Sequence, residues 1–342
     1  MNLKQINKEE GEIEAIDQFV LSSPSGHLFQ TYAWGEVSRE LGWQPLRFLF
    51  ENKGKICGFA QILQRKKFHF SIFYIPRGPI FCDSDSLSSI VQAIKTLMIK
   101  ERGIFCKINP LITKSSSCEE LFRKNNFIKS KMRDMHVCTY RINLSMELSK
   151  IWGNFRGNVR TAIRKAERVG VVVNAGETLD DLNKFYKVYQ TLSEEGKTST
   201  HVFSFFKKIV EEFGPKKQVK IFTADFEGRT VACEFIFFYA KKAEQMWAAS
   251  LKLNNDIGAS QLIHWKIINW LKENDFLVYD LGGVPPDKNE LPGIQFYKQG
   301  LGGERFELAG EYEIAGNPML YFFWRKFCSF YINRKKIILR RP

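Results

Sequence analysis

One succession of elements occurs twice in this chain, and it restricts the fold more than any single motif does. In the first half a helix-like stretch at 32–41 precedes three strand-like runs at 46–51, 55–63 and 69–75. An amphipathic helix at 86–100 and an apolar run at 104–108 follow. In the second half helices at 179–192 and 202–213 precede runs at 218–224, 230–239 and 243–250, then a helix at 259–272 and a run at 276–281. Apolar residues recurring every three or four positions mark the helices, and short β-branched or aromatic runs mark the strands. Asn52-Lys53-Gly54 and Glu227-Gly228 stand where each half needs a tight hairpin. Each half therefore reads as helix, three-stranded meander, helix, strand, and the expected class is α+β.

That order is the order of a GNAT-type acyltransferase, and its duplication strengthens the reading. A coenzyme A site of that type places a glycine-rich loop at the start of the main helix, where backbone N–H groups hold the pyrophosphate. The corresponding stretch is Asn255-Asp256-Ile257-Gly258-Ala259-Ser260, with Asn in the first position and an acid after it. The first half offers only Ser84-Asp85-Ser86-Leu87. The architecture points to acyl transfer, while the usual donor loop is degraded. An acyl-CoA-dependent N-acyltransferase of the same fold stands as the alternative.

Charge narrows the partners. The chain carries 51 Lys and Arg against 37 Asp and Glu, a net +14 over 342 residues. The excess is concentrated at 121–133, 153–168 and 317–342, and the rest of the chain is nearly neutral. Nucleic acid, a phosphorylated substrate or an anionic membrane surface is the natural partner of such patches. The start, MNLKQINKEEGEIE, is charged, unlike a secretory leader, and no apolar run approaches the ~20 residues of a membrane span. The seven cysteines are scattered and include no C-x-x-C, which fits reduced thiols in a cytoplasmic protein. The five histidines show no metal-ligand spacing, so no metal is expected.

Several short constellations carry chemistry. Arg156, Arg160, Arg164 and Arg168 recur every fourth residue and form one helical stripe beside Lys165. Either the stripe is a solvated face or its planar guanidiniums grip phosphates in pairs of bonds. Tyr74-Ile75-Pro76-Arg77-Gly78-Pro79 ends a strand and either terminates it or aims Arg77 from a rigid turn. Asp280-Leu281-Gly282-Gly283 closes the last strand of the second half, where glycines let a ligand approach the backbone. Lys298 follows within Gly293–Gly303, a helical turn closed by glycines at 300, 302 and 303.

Taken in order, these pieces resemble the FemABX family of aminoacyl-tRNA-dependent transferases that build peptidoglycan cross-bridges. Gln30–Gly35 resembles its Q-x-x-x-W opening, Tyr74–Pro79 its Y-x-P-R-G-P turn, and Arg156–Val171 its R-x-x-I-R-K-A helix. Tyr279–Val284 resembles Y-D-x-G-G, and Phe296–Gly303 resembles the F-K-x-G-F-G-G turn. The resemblance implies two tandem GNAT-like domains, 1–143 completed by 304–342, and 144–303. It implies the compact form, with no coiled-coil arm, because 178–214 leaves little room for one. It implies attack by an amino group of a peptidoglycan precursor on the ester of an aminoacyl-tRNA, with no cofactor, in a cytoplasmic monomer.

The catalytic positions carried over are Lys298, set toward the oxyanion or a nearby tRNA phosphate, and Asn109, which stands where the family often has an acid. The substrate-binding positions are Gln30, Trp34, Arg77, Trp247, Asp280, Gly282, Gly283 and Tyr297. Arg156, Arg160, Arg164, Lys165 and Arg168 are the phosphate-binding candidates. No lysine follows the tryptophan motif at 36–39, and no arginine lies near Thr200-His201. Those departures favour a lipid-linked precursor, or phosphates held in another way. A non-catalytic relative that binds precursor or tRNA remains open because Asn109 cannot take a proton. Met319–Trp324 is expected to dock on the first domain, and the basic residues through Arg341 to meet an anionic membrane at its inner face.

Overall fold

The computed structural model describes residues 2–6, 10–194, 201–253 and 255–326. The chain forms two compact units, Met1–Val137 with Leu308–Pro342, and Cys138–Glu307. Each contains one mixed sheet flanked by helices, and the meander–helix–strand order is present in both.

In the first unit the sheet runs, in spatial order, Asn2–Gln5, Gln44–Asn52, Lys55–Lys67, Phe70–Arg77, Gly103–Pro110, Tyr312–Ala315 and Ile128–Lys129. Ile80–Phe81 pairs on the side with Lys55–Lys67. Among the described residues of this unit only Phe70–Arg77 and Gly103–Pro110 are parallel, because the helix Ser84–Lys100 carries the chain across between them. That helix starts on a reciprocal cap between Asp83 and Ser86. It buries Leu87, Ile90, Val91, Ile94 and Met98 at helical spacing against Phe50, Ile62, Phe73 and Ile108 of the sheet.

The second sheet runs Glu304–Glu307, Cys138–Asn143, Val278–Val284, Lys242–Ser250, Arg229–Tyr239, Val219–Phe226 and Val172–Gly176. Its interior strand Arg229–Tyr239 is covered on both faces. Phe235 and Phe237 meet Phe185, Phe206 and Phe213 of the helices Leu179–Glu194 and Phe203–Phe213. On the opposite face Phe238 packs against Trp270 of the crossover helix Ala259–Glu273, with ring centroids 5.2 Å apart. Glu234 shares that second face by the twofold alternation of a strand. Residues 195–202 are all that separate Leu179–Glu194 from Phe203–Phe213, so no helical-hairpin arm is inserted there.

The boundaries expected at 143/144 and 303/304 both move. Cys138–Asn143 and Glu304–Glu307 are strands of the second sheet, paired with each other and, through Cys138–Asn143, with Val278–Val284. The returning strand Tyr312–Ala315 joins the first sheet beside Gly103–Pro110.

The two parallel pairs differ in length. In the first unit the pairing extends from Ser71↔Gly103 to Arg77↔Pro110. In the second it holds only for Lys242↔Val278, Ala243↔Tyr279 and Glu244↔Asp280, and then the strands part. Lys242–Ser250 also carries a register shift against its other neighbour, between Phe235↔Trp247 and Ile236↔Gln245. The bulge bends the strand, and the ladder ends short of Gln245 and Gly282.

Candidate active site

Lys298 stands where that ladder ends. It lies near the end of the helix Pro292–Gly300, which begins with proline in its first turn. Its Nζ donates to the Gly283 carbonyl at 3.0 Å. Gly282 has φ +78°, and a Cβ there would lie 2.6 Å from the Gln245 carbonyl oxygen and 3.4 Å from the lysine Nζ. Both the left-handed backbone and the crowding require glycine at this position. Burial pulls the Lys298 ammonium down to about 8, although Asp280 and Glu234 attract its charge. A lysine so placed is a poised cation, charged at neutral pH and close to losing that charge.

Asp280 serves the same turn from within. Its carboxylate accepts from the Thr139 hydroxyl, from the Gly282 N–H at 3.0 Å and from Arg141 Nε at 2.9 Å. Its oxygens hold the Gly282-Gly283 backbone in place, so Asp280 positions the turn and is not aimed at a ligand.

Behind the lysine lies a buried polar cluster that the motifs did not disclose. Glu234 Oε1 is 3.1 Å from His264 Nε2, and Glu234 Oε2 is 3.2 Å from the Tyr279 hydroxyl. His264 Nδ1 closes the figure at 2.9 Å from the same hydroxyl. Burial raises the Glu234 carboxyl to about 8, against the pull of Tyr279, Lys298 and Gln245. Burial and the Lys298 charge lower His264 to about 3. Tyr297 packs beside the cluster with its ring 5.7 Å from His264. Its hydroxyl is buried without a hydrogen-bond partner among the described residues.

A cavity of about 520 Å³ opens onto this cluster. Glu234, Gln245, His264 and Tyr297 supply one part of its polar wall and Asp256, Ser260 and Gln261 another, with small residues such as Ala232 and Ala248 between them. Trp247 does not belong to it. The bulge turns its ring to the other face of the sheet, where Phe205, Phe206, Phe235 and Phe237 surround it edge-on. The substrate role expected for Trp247 gives way to a core role.

The arginine stripe divides. Arg156 caps the helix Gly157–Arg168, lies 3.6 Å over the Phe296 ring and donates to the Phe296 carbonyl. Arg160 Nη1 donates to the carbonyls of Gly153 and Phe155 at 3.0 and 2.8 Å, closing the end of the helix Leu148–Asn154. Lys165 donates to the Asp256 carbonyl at 2.5 Å. These three fasten elements together, whereas Arg164 and Arg168 are exposed. The loop before the crossover helix is packed on one side, where a Cβ at Gly258 would lie 2.2 Å from the Ala162 carbonyl oxygen of the arginine helix. On the other side Asp256, Ala259 and Ser260 line a small cavity of about 160 Å³, and the Asp256 carboxylate accepts from the Gly258 N–H at 2.9 Å, where a pyrophosphate would need that donor.

The first unit has its own cavity of about 450 Å³, walled by Phe29, Trp34, Trp43, Tyr74, Phe105 and Trp324 with Lys107 at one side. Trp34 stacks on Phe29 at 3.9 Å. Lys107 contacts Asp134 at 2.5 Å, with Glu311 and Glu313 each at 3.7 Å. Burial raises Glu311 to about 7. The Tyr74 hydroxyl is buried and has no hydrogen-bond partner among the described residues.

Gln30, Arg77 and Asn109 do not line that cavity. Gln30 donates to the Pro76 carbonyl at 2.8 Å and accepts from Gln61 N at 2.9 Å, bracing the turn at Gly78. Arg77 Nη1 donates to Asn109 Oδ1 at 3.0 Å, and Arg77 Nη2 meets His136 Nε2 at 2.8 Å. Where the second unit opens its sheet, the first fills the same place with this buried pair. Of the four positions expected here, Trp34 is the one that lines this cavity.

The helix over 318–326 docks by one face. Tyr321 is buried and its hydroxyl donates to Glu313 Oε2 at 2.6 Å, while Trp324 stacks on Phe105. Met319, Phe322 and Phe323 are 66%, 56% and 62% exposed. Docking of the whole Met319–Trp324 stretch is thus half met. The basic residues from Arg334 onward lie outside the described residues. Among the described residues no helix is long and apolar enough to cross a membrane.

The family model described as the FemAB family matches residues 12–234 and 227–327. The UDP-N-acetylmuramoylpentapeptide-lysine N(6)-alanyltransferase of Weissella viridescens is 23% identical, over 90% of this chain and 95% of its own length. A lipid II:glycine glycyltransferase of Staphylococcus aureus is 21% identical over 89% and 92%. The crystal structure of FemX superposes with a TM-score of 0.83 at 18% identity, covering 94% of this chain and 99% of that one.

Proposed function

The chain belongs to the FemAB family, and from that footing we propose that it moves an aminoacyl group from aminoacyl-tRNA to an amino group of a peptidoglycan-precursor stem peptide. The product is the first or a later residue of an interpeptide bridge. The observation that carries the reading is Lys298, held over Gly282-Gly283 at the parted strands and backed by a cavity with an acid, an imidazole and a phenol.

Aminolysis of an ester builds an oxyanion on the carbonyl carbon, and a fixed cation in a water-poor site stabilises it. Lys298 supplies that cation, or meets the terminal phosphate of the tRNA. The nucleophile must be a neutral amine, whose pKa in water is about 10.4. Arg164 and Arg168 remain available to tRNA phosphates. Trp34 and its aromatic cavity offer the first unit's apolar contact to the acceptor.

Two observations weigh against the competing readings. The Asp256 carboxylate at the start of the helix Ala259–Glu273 takes the Gly258 N–H at 2.9 Å and sets a negative charge where a pyrophosphate would sit, which disfavours coenzyme A as donor. Asn109 is tied to Arg77 and lines neither cavity, so the lack of an acid there does not argue for an inactive relative. The exposed Met319, Phe322 and Phe323 beside Arg325 and Lys326 favour a lipid-linked acceptor at an anionic membrane surface.

The test is direct. The purified chain is incubated with alanyl-tRNA or glycyl-tRNA, and separately with acetyl-CoA, together with lipid-linked or nucleotide-linked muramoyl pentapeptide. Mass spectrometry should show one added aminoacyl residue, and Lys298→Met should lower the rate by roughly 100-fold or more while the protein stays folded. Acetyl addition, or full turnover by the variant, would refute the assignment.

A further inference from the structure

Glu234, His264 and Tyr279 meet in three contacts that close on themselves, at 3.1, 3.2 and 2.9 Å. Each contact needs one proton between its two heavy atoms. A neutral tyrosine brings one and a neutral histidine brings one. The third must sit on the Glu234 carboxyl or as a second proton on the imidazole. Without it, one of the three contacts sets lone pair against lone pair at hydrogen-bonding distance, inside a site where Glu234, His264 and Tyr279 are at most 3% exposed. An uncompensated contact of that kind is costly away from water.

The neighbours are consistent with a ring that carries no net charge. The helix Pro292–Gly300 brings Lys298 and Tyr297 toward it, and the strand Val278–Val284 brings Asp280, which is already taken by Arg141 and Thr139. The strand Lys242–Ser250 brings Gln245, while Glu244 is bound by the Tyr239 hydroxyl at 2.6 Å. Glu234 and His264 line the cavity itself, and Tyr297 leaves a buried hydroxyl there for an occupant.

We propose that this Glu234–His264–Tyr279 ring is the proton store of the transfer, giving its proton to the departing ribose oxygen and recovering one from the attacking nitrogen. The inference rests on the transferase reading above. The steps balance: the amine nitrogen bonds to the carbonyl carbon, and the ester C–O bond breaks. The ring proton completes the ribose hydroxyl, and the proton shed by nitrogen refills the ring. Electrons stay paired throughout, and the ring ends as it began.

Glu234→Gln is the informative variant. The amide oxygen can accept from His264 Nε2–H, and the amide N–H can donate to the Tyr279 oxygen, so the ring stays closed but has no acid proton to give. With the charged tRNA that supports wild-type turnover, this variant should lose about 100-fold or more in kcat at little change in KM. Tyr279→Phe opens the ring and removes a donor to the Glu234 carboxylate, so the alkaline limb of the kcat profile should move to higher pH. Wild-type kcat in Glu234→Gln, or an alkaline limb unmoved in Tyr279→Phe, overturns the store while leaving the transferase reading intact. A folded wild-type chain that transfers from no charged tRNA overturns both.

Discussion

Glu234→Gln also makes a prediction about stability that needs no substrate. In the folded chain the Glu234 carboxyl titrates near 8 because burial penalises its charge. An unfolded glutamate titrates near 4.3. Between those values unfolding releases a proton. Stability therefore falls as pH rises through this window, by about 1.4 kcal/mol per pH unit. Below the window both states are protonated, and above it the penalty is complete and constant. From pH 5.5 to 7.5 the wild-type chain should lose about 2–3 kcal/mol through this one group. The Gln variant keeps the same three contacts and has nothing to titrate there. Urea unfolding of both proteins across that range isolates the term, because other groups cancel in the difference when the denaturant slope is unchanged. The variant should already lead by roughly 1.5 kcal/mol at pH 5.5, because the window opens near 4.3, and it should gain steadily toward pH 7.5. A difference that stays flat, or that shrinks with pH, would mean that Glu234 is ionised in the folded chain and that the ring is not closed by its proton.

The arginine stripe and the exposed aromatics make separate predictions. Arg168→Gln with Arg164→Gln should leave thermal stability unchanged and flatten the salt dependence of tRNA binding, by about 0.7–0.9 in the log–log slope for each phosphate that is no longer neutralised. Arg160→Ala should do the reverse, costing roughly 1–3 kcal/mol in thermal unfolding because carbonyls of Gly153 and Phe155 lose their donor, with the salt slope unmoved. Phe322→Ser with Phe323→Ser should weaken partition to vesicles containing anionic lipid by about 10-fold or more, measured by sedimentation, since each ring contributes roughly 1.5–3 kcal/mol when buried in an apolar phase. Unaltered partition would assign that face another role.

The strands and helices of the duplicated pattern were legible because each carries its own periodicity. The run expected at 230–239 is the strand Arg229–Tyr239, and the helix expected at 259–272 is Ala259–Glu273. The strands that close each sheet were not legible. Cys138–Asn143 and Tyr312–Ala315 are short, and their partners lie far away in sequence. The motifs located Lys298, Gly282 and Gly283, which the fold brings together. They overvalued Gln30, Arg77, Asp280 and Trp247, because a motif records that a residue is needed and does not say whether it faces a ligand or the interior. Glu234 left a faint mark. It is the one charged residue in Val-Ala-Cys-Glu-Phe-Ile-Phe-Phe-Tyr, a run too apolar for a strand with a solvated face. His264 left less, since a histidine within an apolar helix is unremarkable until the sheet places an acid opposite it.

The same topology gives an open site in one unit and a closed one in the other, and the difference reduces to how far two parallel strands stay together. In the first unit the ladder continues to Arg77↔Pro110, and the end of the pair is sealed by the Arg77–Asn109 bond. In the second the ladder stops at Glu244↔Asp280, the bulge shifts the register at Gln245, and Gly282 turns against the Gln245 carbonyl oxygen where a Cβ would not fit. Backbone groups freed where strands part must find partners, because buried N–H and C=O groups are seldom left unpaired. Lys298 answers one of them, the Gly283 carbonyl, and Asp280 answers another, the Gly282 N–H. The lysine is thus fixed by the sheet's own unmet hydrogen bonding, and two of its three ammonium protons remain to be directed at a substrate. A cation held in this way needs no reorganisation when an oxyanion forms beside it, and it is on this ground that the proposed reaction is placed at the parted strands.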